Sequence, residues 1–226
     1  MVALDWTSFF DDEQSMLSLN IVTGKGLSTP LLWKSVDKKQ LKHNRARYED
    51  QLLTRLKTVL PTGTKVILLA DRGFADQRFF RFLDEELGFK YIVRIKSNTT
   101  IRHKDVKNKA INWLKPDGRC LGLKKALITL TEYPIEQFVA VKDKGMKAAW
   151  YLVTNTALKA SEIISCYSKR WKIGVSRLRT LHLVGESPTE VKDSSLVAWE
   201  ASWRASKTME PSDNILRKEY AQCTRL

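Results

Sequence analysis

Cysteine is scarce in this chain and poorly placed for a scaffold. Cys120, Cys166 and Cys223 are odd in number, far apart, and form no C-x-x-C pair. That excludes a disulfide framework and a cysteine-based zinc site, and it suits a reducing cytosol. No apolar run approaches the ~20 residues a membrane-spanning helix needs, so no membrane partner is expected. Met1-Val-Ala-Leu-Asp5 carries neither a basic n-region nor a cleavage pattern, so no secretory signal is expected and the anticipated location is cytoplasmic. Acidic residues are in deficit: 39 Lys and Arg stand against 25 Asp and Glu, a formal net charge of +14. Such a surplus favours a polyanionic partner, held by phosphate neutralisation and counterion release. A basic but functionally silent surface is the alternative, and nucleic acid is the better reading.

What the chain does have is an ordinary globular composition. Its 226 residues, 43% hydrophobic and 28% charged, suffice for one sizeable core. The reading is organised around Lys65-Val-Ile-Leu-Leu-Ala-Asp71-Arg-Gly-Phe74. Val66 to Ala70 is a short unbroken apolar run, the pattern of a strand buried on both faces. It ends in Asp71, with Gly73 to turn the chain, and a helical pattern with Phe79, Phe80, Leu83 and Leu87 on one face runs from Asp76 to Leu87. A carboxylate at the carboxyl end of a buried strand is where open α/β sheets place their chemistry. Asp71 could equally do no more than cap that turn.

Val2 to Phe10 reads as a first strand, interrupted by Asp5, whose carboxylate needs a cation, a donor or an exposed strand end. Asp11-Asp12 is a turn, Ser15 to Val22 a second strand, and Leu27 to Trp33 a third, near an edge because it contains Pro30. The three form an antiparallel meander. Lys38 to Leu60 reads as one helix, with Leu41, Tyr48, Leu52, Leu56 and Val59 at three- and four-residue spacing and basic residues opposite. The order β-β-β-α-β-α predicts a mixed α/β sheet. If the fourth strand pairs parallel to the first, Asp5 and Asp71 lie on adjacent central strands. Two carboxylates brought together repel each other unless a cation lies between them, and a divalent metal pair would satisfy them.

Phe89 to Ile95 reads as the next strand. From Lys96 to Lys125 there are nine Lys or Arg and two Asp, broken by turn formers. This is either a solvated basic face or a DNA-contacting insertion with Trp113 available for stacking. Leu127 to Leu130, Phe138 to Val141 and Trp150 to Thr154 read as strands, the last returning to the main sheet. Ala160 to Ile173 reads as an amphipathic helix, with Ile163, Ile164, Tyr167 and Trp171 on one face and Lys169, Arg170 and Lys172 supplying charge. After Gly174 periodicity weakens, with short helices expected at Leu196 to Ser206 and Asn214 to Ala221. The resulting division is 1–95 and 148–175 as a core, 96–147 as a basic β-rich insertion, and 176–226 as a divergent tail.

Four segments together resemble the DDE transposases of the insertion sequence four family. Val2-Ala-Leu-Asp5-Trp6-Thr7 is similar to the family's first catalytic strand, and Val66 to Phe74 to its second. Trp150-Tyr-Leu-Val-Thr-Asn155 resembles the strand before the last catalytic helix. Tyr167-Ser-Lys-Arg170-Trp171-Lys-Ile173 resembles the opening of its Tyr-x2-Arg-x3-Glu-x6-Lys signature. The resemblance covers roughly residues 1–173 and implies a ribonuclease-H-like fold with a β insertion between the second Asp and the last helix. It implies DNA transposition by metal-dependent strand cleavage and transfer on element ends, and leaves open a homodimer on DNA. Asp5 and Asp71 would be catalytic and would hold two Mg2+ or Mn2+ ions with a helix-borne Glu. Arg170 would face phosphate, and Tyr167, Lys169, Lys172 and Arg72 would contact DNA.

The signature's Glu position is held by Gly174 and its Lys position by Leu181. Glycine offers no ligand, and Glu162, three turns earlier, lies at a different axial height. Glu186 and Glu190 fall in the tail. The DNA-binding region that precedes the first Asp in the family is expected to be missing, and a buried strand beginning at residue two suggests a start within a larger ancestral protein. The expectation is a truncated, inactive relative. It is set against an active transposase, a catalytically silent DNA-binding remnant, a poorly folding product, and an unrelated nuclease with the same sheet. A frameshift near codon 174 would explain both the missing Glu and the aperiodic tail. If so, an alternative frame past that codon encodes Phe-Arg and an acidic–basic continuation of the family type; the gene sequence decides it.

Overall fold

In the computed structural model, residues 1–8, 13–22 and 28–172 are described. The expected turns at Asp11-Asp12 and Thr23 to Gly26, Gly174, and the helices expected in the tail lie outside these residues.

Alternating and apolar runs form ten strands in one sheet: β1 (Val2–Ser8), β2 (Gln14–Val22), β3 (Ser28–Asp37), β4 (Ile67–Ala70), β5 (Lys90–Arg94), β6 (Thr100–His103), β7 (Val106–Lys109), β8 (Leu121–Ile128), β9 (Tyr133–Val141) and β10 (Trp150–Thr154). Their order is β3-β2-β1-β4-β5-β10-β9-β8-β6-β7. β1, β2 and β3 form the antiparallel meander. Pro30 lies on the edge strand β3, where a missing N–H removes no interior ladder bond, opposite a register shift at Leu19/Asn20. β4 pairs parallel with both β1 and β5, Leu4 opposite Ala70 and Ala70 opposite Val93. The order β3-β2-β1-β4-β5, with a helix crossing between β3 and β4, is ribonuclease-H-like.

Helices cover both faces. α2 (Arg45–Val59) and α3 (Gln77–Arg81) bury Leu52, Leu53, Leu56, Phe79 and Phe80 against the face carrying Leu4, Leu68 and Ala70. α4 (Ala160–Ser168) buries Ile163 and Tyr167 against the opposite face, with Ala3, Leu69 and Ile92. This is why Val66 to Ala70 is apolar without alternation: Leu68 and Leu69 are both fully buried, on opposite sides.

Several elements depart from expectation. The helix expected over Lys38 to Leu60 is two, α1 (Lys38–Leu41) and α2. The Lys42-His43-Asn44 junction has no apolar side chain to bury. His43 takes a left-handed φ of 65°, and the Asn44 amide donates back to the Gln40 carbonyl at 3.1 Å. The helix after Asp71 starts where Asp76 accepts the Arg78 N–H at 2.8 Å. It then widens into a π turn over Phe82–Glu86, closed by Leu87 N–H to Phe82 O at 3.1 Å. Its predicted apolar residues are all buried. In the basic stretch, Ile101 and Ala110 are fully buried and anchor the hairpin β6–β7, an order the turn formers concealed. β8 begins six residues earlier than the strand expected from Leu127. The segment between β5 and β10 thus extends the same sheet outward. The last helix ends at Ser168 and tightens into a 3-10 turn over Lys169–Lys172 rather than continuing to Ile173.

Asn155, just after β10, fastens that strand end to β5 and the turn before it. Its carbonyl accepts the Tyr91 N–H at 2.9 Å, and its amide donates to Phe89 O at 3.1 Å and to Asp84 at 2.9 Å. Leu69→Ala removes the β4 side chain under α4 and is expected to cost about 2–5 kcal/mol, read as a lower urea midpoint with an unchanged slope.

Candidate phosphoryl-transfer site

The register Leu4–Ala70 puts Asp5 and Asp71 one residue beyond it on adjacent parallel strands. Side chains alternate along a strand. Asp5 therefore shares the α4 face with Ala3, and Asp71 shares it with Leu69. Trp6 points to the α2 face.

Arg170 lies between the two acids. Its Nη2 is 3.3 Å from Asp71 Oδ2 and its Nη1 is 4.0 Å from Asp5 Oδ2. The arginine side chain is 7% exposed, against 23% and 33% for the two carboxylates. Arg170 thus belongs to the interior, not to the basic outer side of an extended helix. The cause is the tightening after Ser168, which turns the chain more per residue than an α-helix does. The guanidinium supplies the cation that the carboxylate at Asp5 requires.

Tyr167 packs edge-on against Trp150, ring centroids 5.2 Å apart, and the Arg170 guanidinium lies 5.6 Å from its ring. Burial pushes the Tyr167 hydroxyl well above its ordinary range, with Arg170 pulling the other way. It stays protonated and donates to Asp71 Oδ1 at 3.4 Å. Asp71 also caps its own turn, accepting the Arg72 N–H at 2.7 Å. Capping and ion pairing are therefore both present in one carboxylate.

Arg72 is exposed beside Asp71, and Lys169 is half-buried. The backbone of Lys172 belongs to the 3-10 turn, while its side chain and that of Trp171 lie outside the described residues. Glu162 is engaged elsewhere, accepting the Lys159 N–H at 2.7 Å at the start of α4. Trp113 is half-buried against the core, edge-on to His103. Lys104, Lys107, Lys109, Lys124 and Lys125 are exposed on the outer strands.

The pattern reading missed Glu49. It is 6% exposed, and its Oε1 accepts from Trp6 Nε1 at 2.8 Å and from Arg45 Nε at 3.1 Å. Burial raises its carboxyl above the ordinary range, against the smaller effects of those two donors. The signal was available: Glu49 stands three residues before Leu52, on the stripe that also carries Leu56.

The sheet and its paired acids define a ribonuclease-H-like core of the kind that handles nucleic-acid phosphates. The chain belongs to the transposase DDE domain family, whose model matches residues 23–173. The match contains Asp71, Tyr167 and Arg170 and begins after Asp5. Members of this family generally use a divalent metal and act on DNA. No curated protein matches the sequence. Among solved structures, the chain is similar to Ciona intestinalis endonuclease V in complex with a 24mer DNA containing an inosine followed by a ribo-adenosine. The identity is 14%, the TM-score 0.45, and the alignment covers 80% of this chain and 86% of that one. It is also similar to Marinitoga piezophila Argonaute with a 5′ OH guide RNA, at 14% identity and TM-score 0.27, over 73% of this chain and 24% of that one.

Among the described residues, no group of three or more His, Cys, Asp and Glu could hold a metal ion. The oxygen donors in place are the two aspartates, hard ligands of the type that Mg2+ and Mn2+ accept. A double-mutant cycle of Arg170→Met and Asp71→Asn, followed by denaturation, is expected to give a coupling of about 0.5–3 kcal/mol, because the pair shares one ion contact.

Proposed function

We propose that this transposase-like chain contacts DNA and retains two of three catalytic carboxylates, with strand cleavage impaired. One observation carries the reading. Asp5 and Asp71 share one face just past the point where the parallel pairing of β1 and β4 stops, while the position that the resemblance reserves for Glu is Gly174. Asp5 and Asp71 are the residues that would hold Mg2+ or Mn2+. A bound ion pair supplies activation of water or a 3′-hydroxyl and stabilisation of the leaving oxygen in an in-line displacement. Arg170 neutralises the acids from the protein side and carries the planar donor fork suited to a phosphate. Tyr167 holds Asp71 in place by a hydrogen bond. Lys169 and Arg72 line the approach to DNA, Lys172 is given the same role by the family resemblance, and the exposed lysines of the outer strands add a sequence-independent backbone attraction. Action on element ends, in the cytoplasm and as a pair of chains on DNA, completes the proposal. The alternative, a catalytically silent remnant, differs only in whether any cleavage survives.

The chain is expected to bind duplex DNA with an affinity that falls steeply with salt and to leave plasmid un-nicked in Mg2+. Gly174→Glu is expected to raise Mn2+ affinity, measured by calorimetry. An unchanged isotherm would overturn the convergence of that position with Asp5 and Asp71. Magnesium-dependent nicking by the unaltered chain would overturn the impairment.

A further inference from the structure

We propose that Glu49 is a positioning residue for the Asp5–Asp71 pair, acting from the opposite face of the sheet. Asp5 and Trp6 are consecutive on β1 and point to opposite faces. Trp6 is tied by its indole N–H to Glu49 on α2 at 2.8 Å. The same carboxylate oxygen holds Arg45 at 3.1 Å. The Arg45 guanidinium in turn lies 5.4 Å from the Trp6 ring and 5.5 Å from the Phe74 ring. Phe74 is joined to the other acid's backbone, its N–H donating to Asp71 O at 2.9 Å. Gly73, in the turn between them, has room for the arginine, whose Nη2 would lie 3.5 Å from a β-carbon at that position. One nearly buried carboxylate thus grips β1 just after Asp5 and, through Arg45, the turn just after Asp71.

A carboxylate is suited to this. It accepts two hydrogen bonds at one oxygen and gives a guanidinium a fixed partner, so the cation–π contacts to Trp6 and Phe74 keep one geometry. With it removed, the helix no longer ties β1 to the turn after β4, and the spacing of the acids would rest on the sheet ladder and on contacts from the α4 side such as Arg170 and Tyr167. Outer partners of this type orient ligating side chains without touching the ligand.

The consequence for metal binding rests on the proposed function; the consequence for the two strand ends does not. Both are tested on the full chain with Glu49→Ala, Glu49→Gln and, as a control of the reading itself, Asp71→Asn. By amide hydrogen exchange, Glu49→Ala is expected to speed exchange at Asp5 to Ser8 and at Asp71 to Phe74, while β5 and β9 keep their protection. Glu49→Gln, whose amide oxygen can still accept from Trp6, is expected to restore most of it. Unchanged exchange, or a uniform rise across the sheet, would overturn the proposal. With Mn2+ followed by electron paramagnetic resonance, Glu49→Ala is expected to bind about tenfold more weakly, with rescue by Glu49→Gln. Affinity equal to the unaltered chain, where Asp71→Asn abolishes binding, would also overturn it. Binding that is the same with and without Asp71 sinks the metal-site reading instead, and the exchange result then decides the role of Glu49.

Discussion

Two carboxylates brought onto one face of a sheet need a positive charge beside them, and in this fold that charge is the Arg170 guanidinium. The requirement begins with backbone pairing. β1 and β4 run parallel with Leu4 opposite Ala70, so the next residues, Asp5 and Asp71, lie side by side where that pairing stops. Without a cation the two acids would repel each other and strain the centre of the sheet. The end of α4 resolves this by tightening into a 3-10 turn that brings Arg170 inward onto both. α4 itself is held across the sheet by Ile163 and Tyr167 against Ala3, Leu69 and Ile92, so apolar packing and charge neutralisation meet at the end of one helix.

β1 serves both faces of the sheet through consecutive residues. Asp5 looks toward α4, and Trp6 looks toward α2, where Glu49 and Arg45 wait. A strand with apolar neighbours on both sides can carry a charge only where water or a partner reaches it. Here β1, just past its pairing with β4, has polar partners on both faces, one set around the acids and one behind them. The family match takes in Asp71, Tyr167 and Arg170, and the proposed phosphate chemistry sits where β1 and β4 stop pairing. The outer strands β6 to β9 extend the sheet away from that point, carrying exposed lysines over a buried apolar face.

The sequence by itself determined a mixed α/β sheet, and the family resemblance named it ribonuclease-H-like. Unbroken apolar runs mark strands covered on both faces, Pro30 marks an edge, and the β-β-β-α-β-α order leaves few topologies. The resemblance to the family's Tyr-x2-Arg signature added Tyr167 and Arg170 to the two strand-borne acids, and the structure brings all four side chains together. Tertiary structure alone decided the rest. Glu49 joined the site because its apolar stripe faces Trp6. Arg170 turned inward because the helix tightened after Ser168. Trp113 went to the core, and a stretch full of turn formers paired into a hairpin. In each case the deciding energy comes from burial and from charge neutralisation between residues distant in the chain, and local periodicity carries no record of those partners.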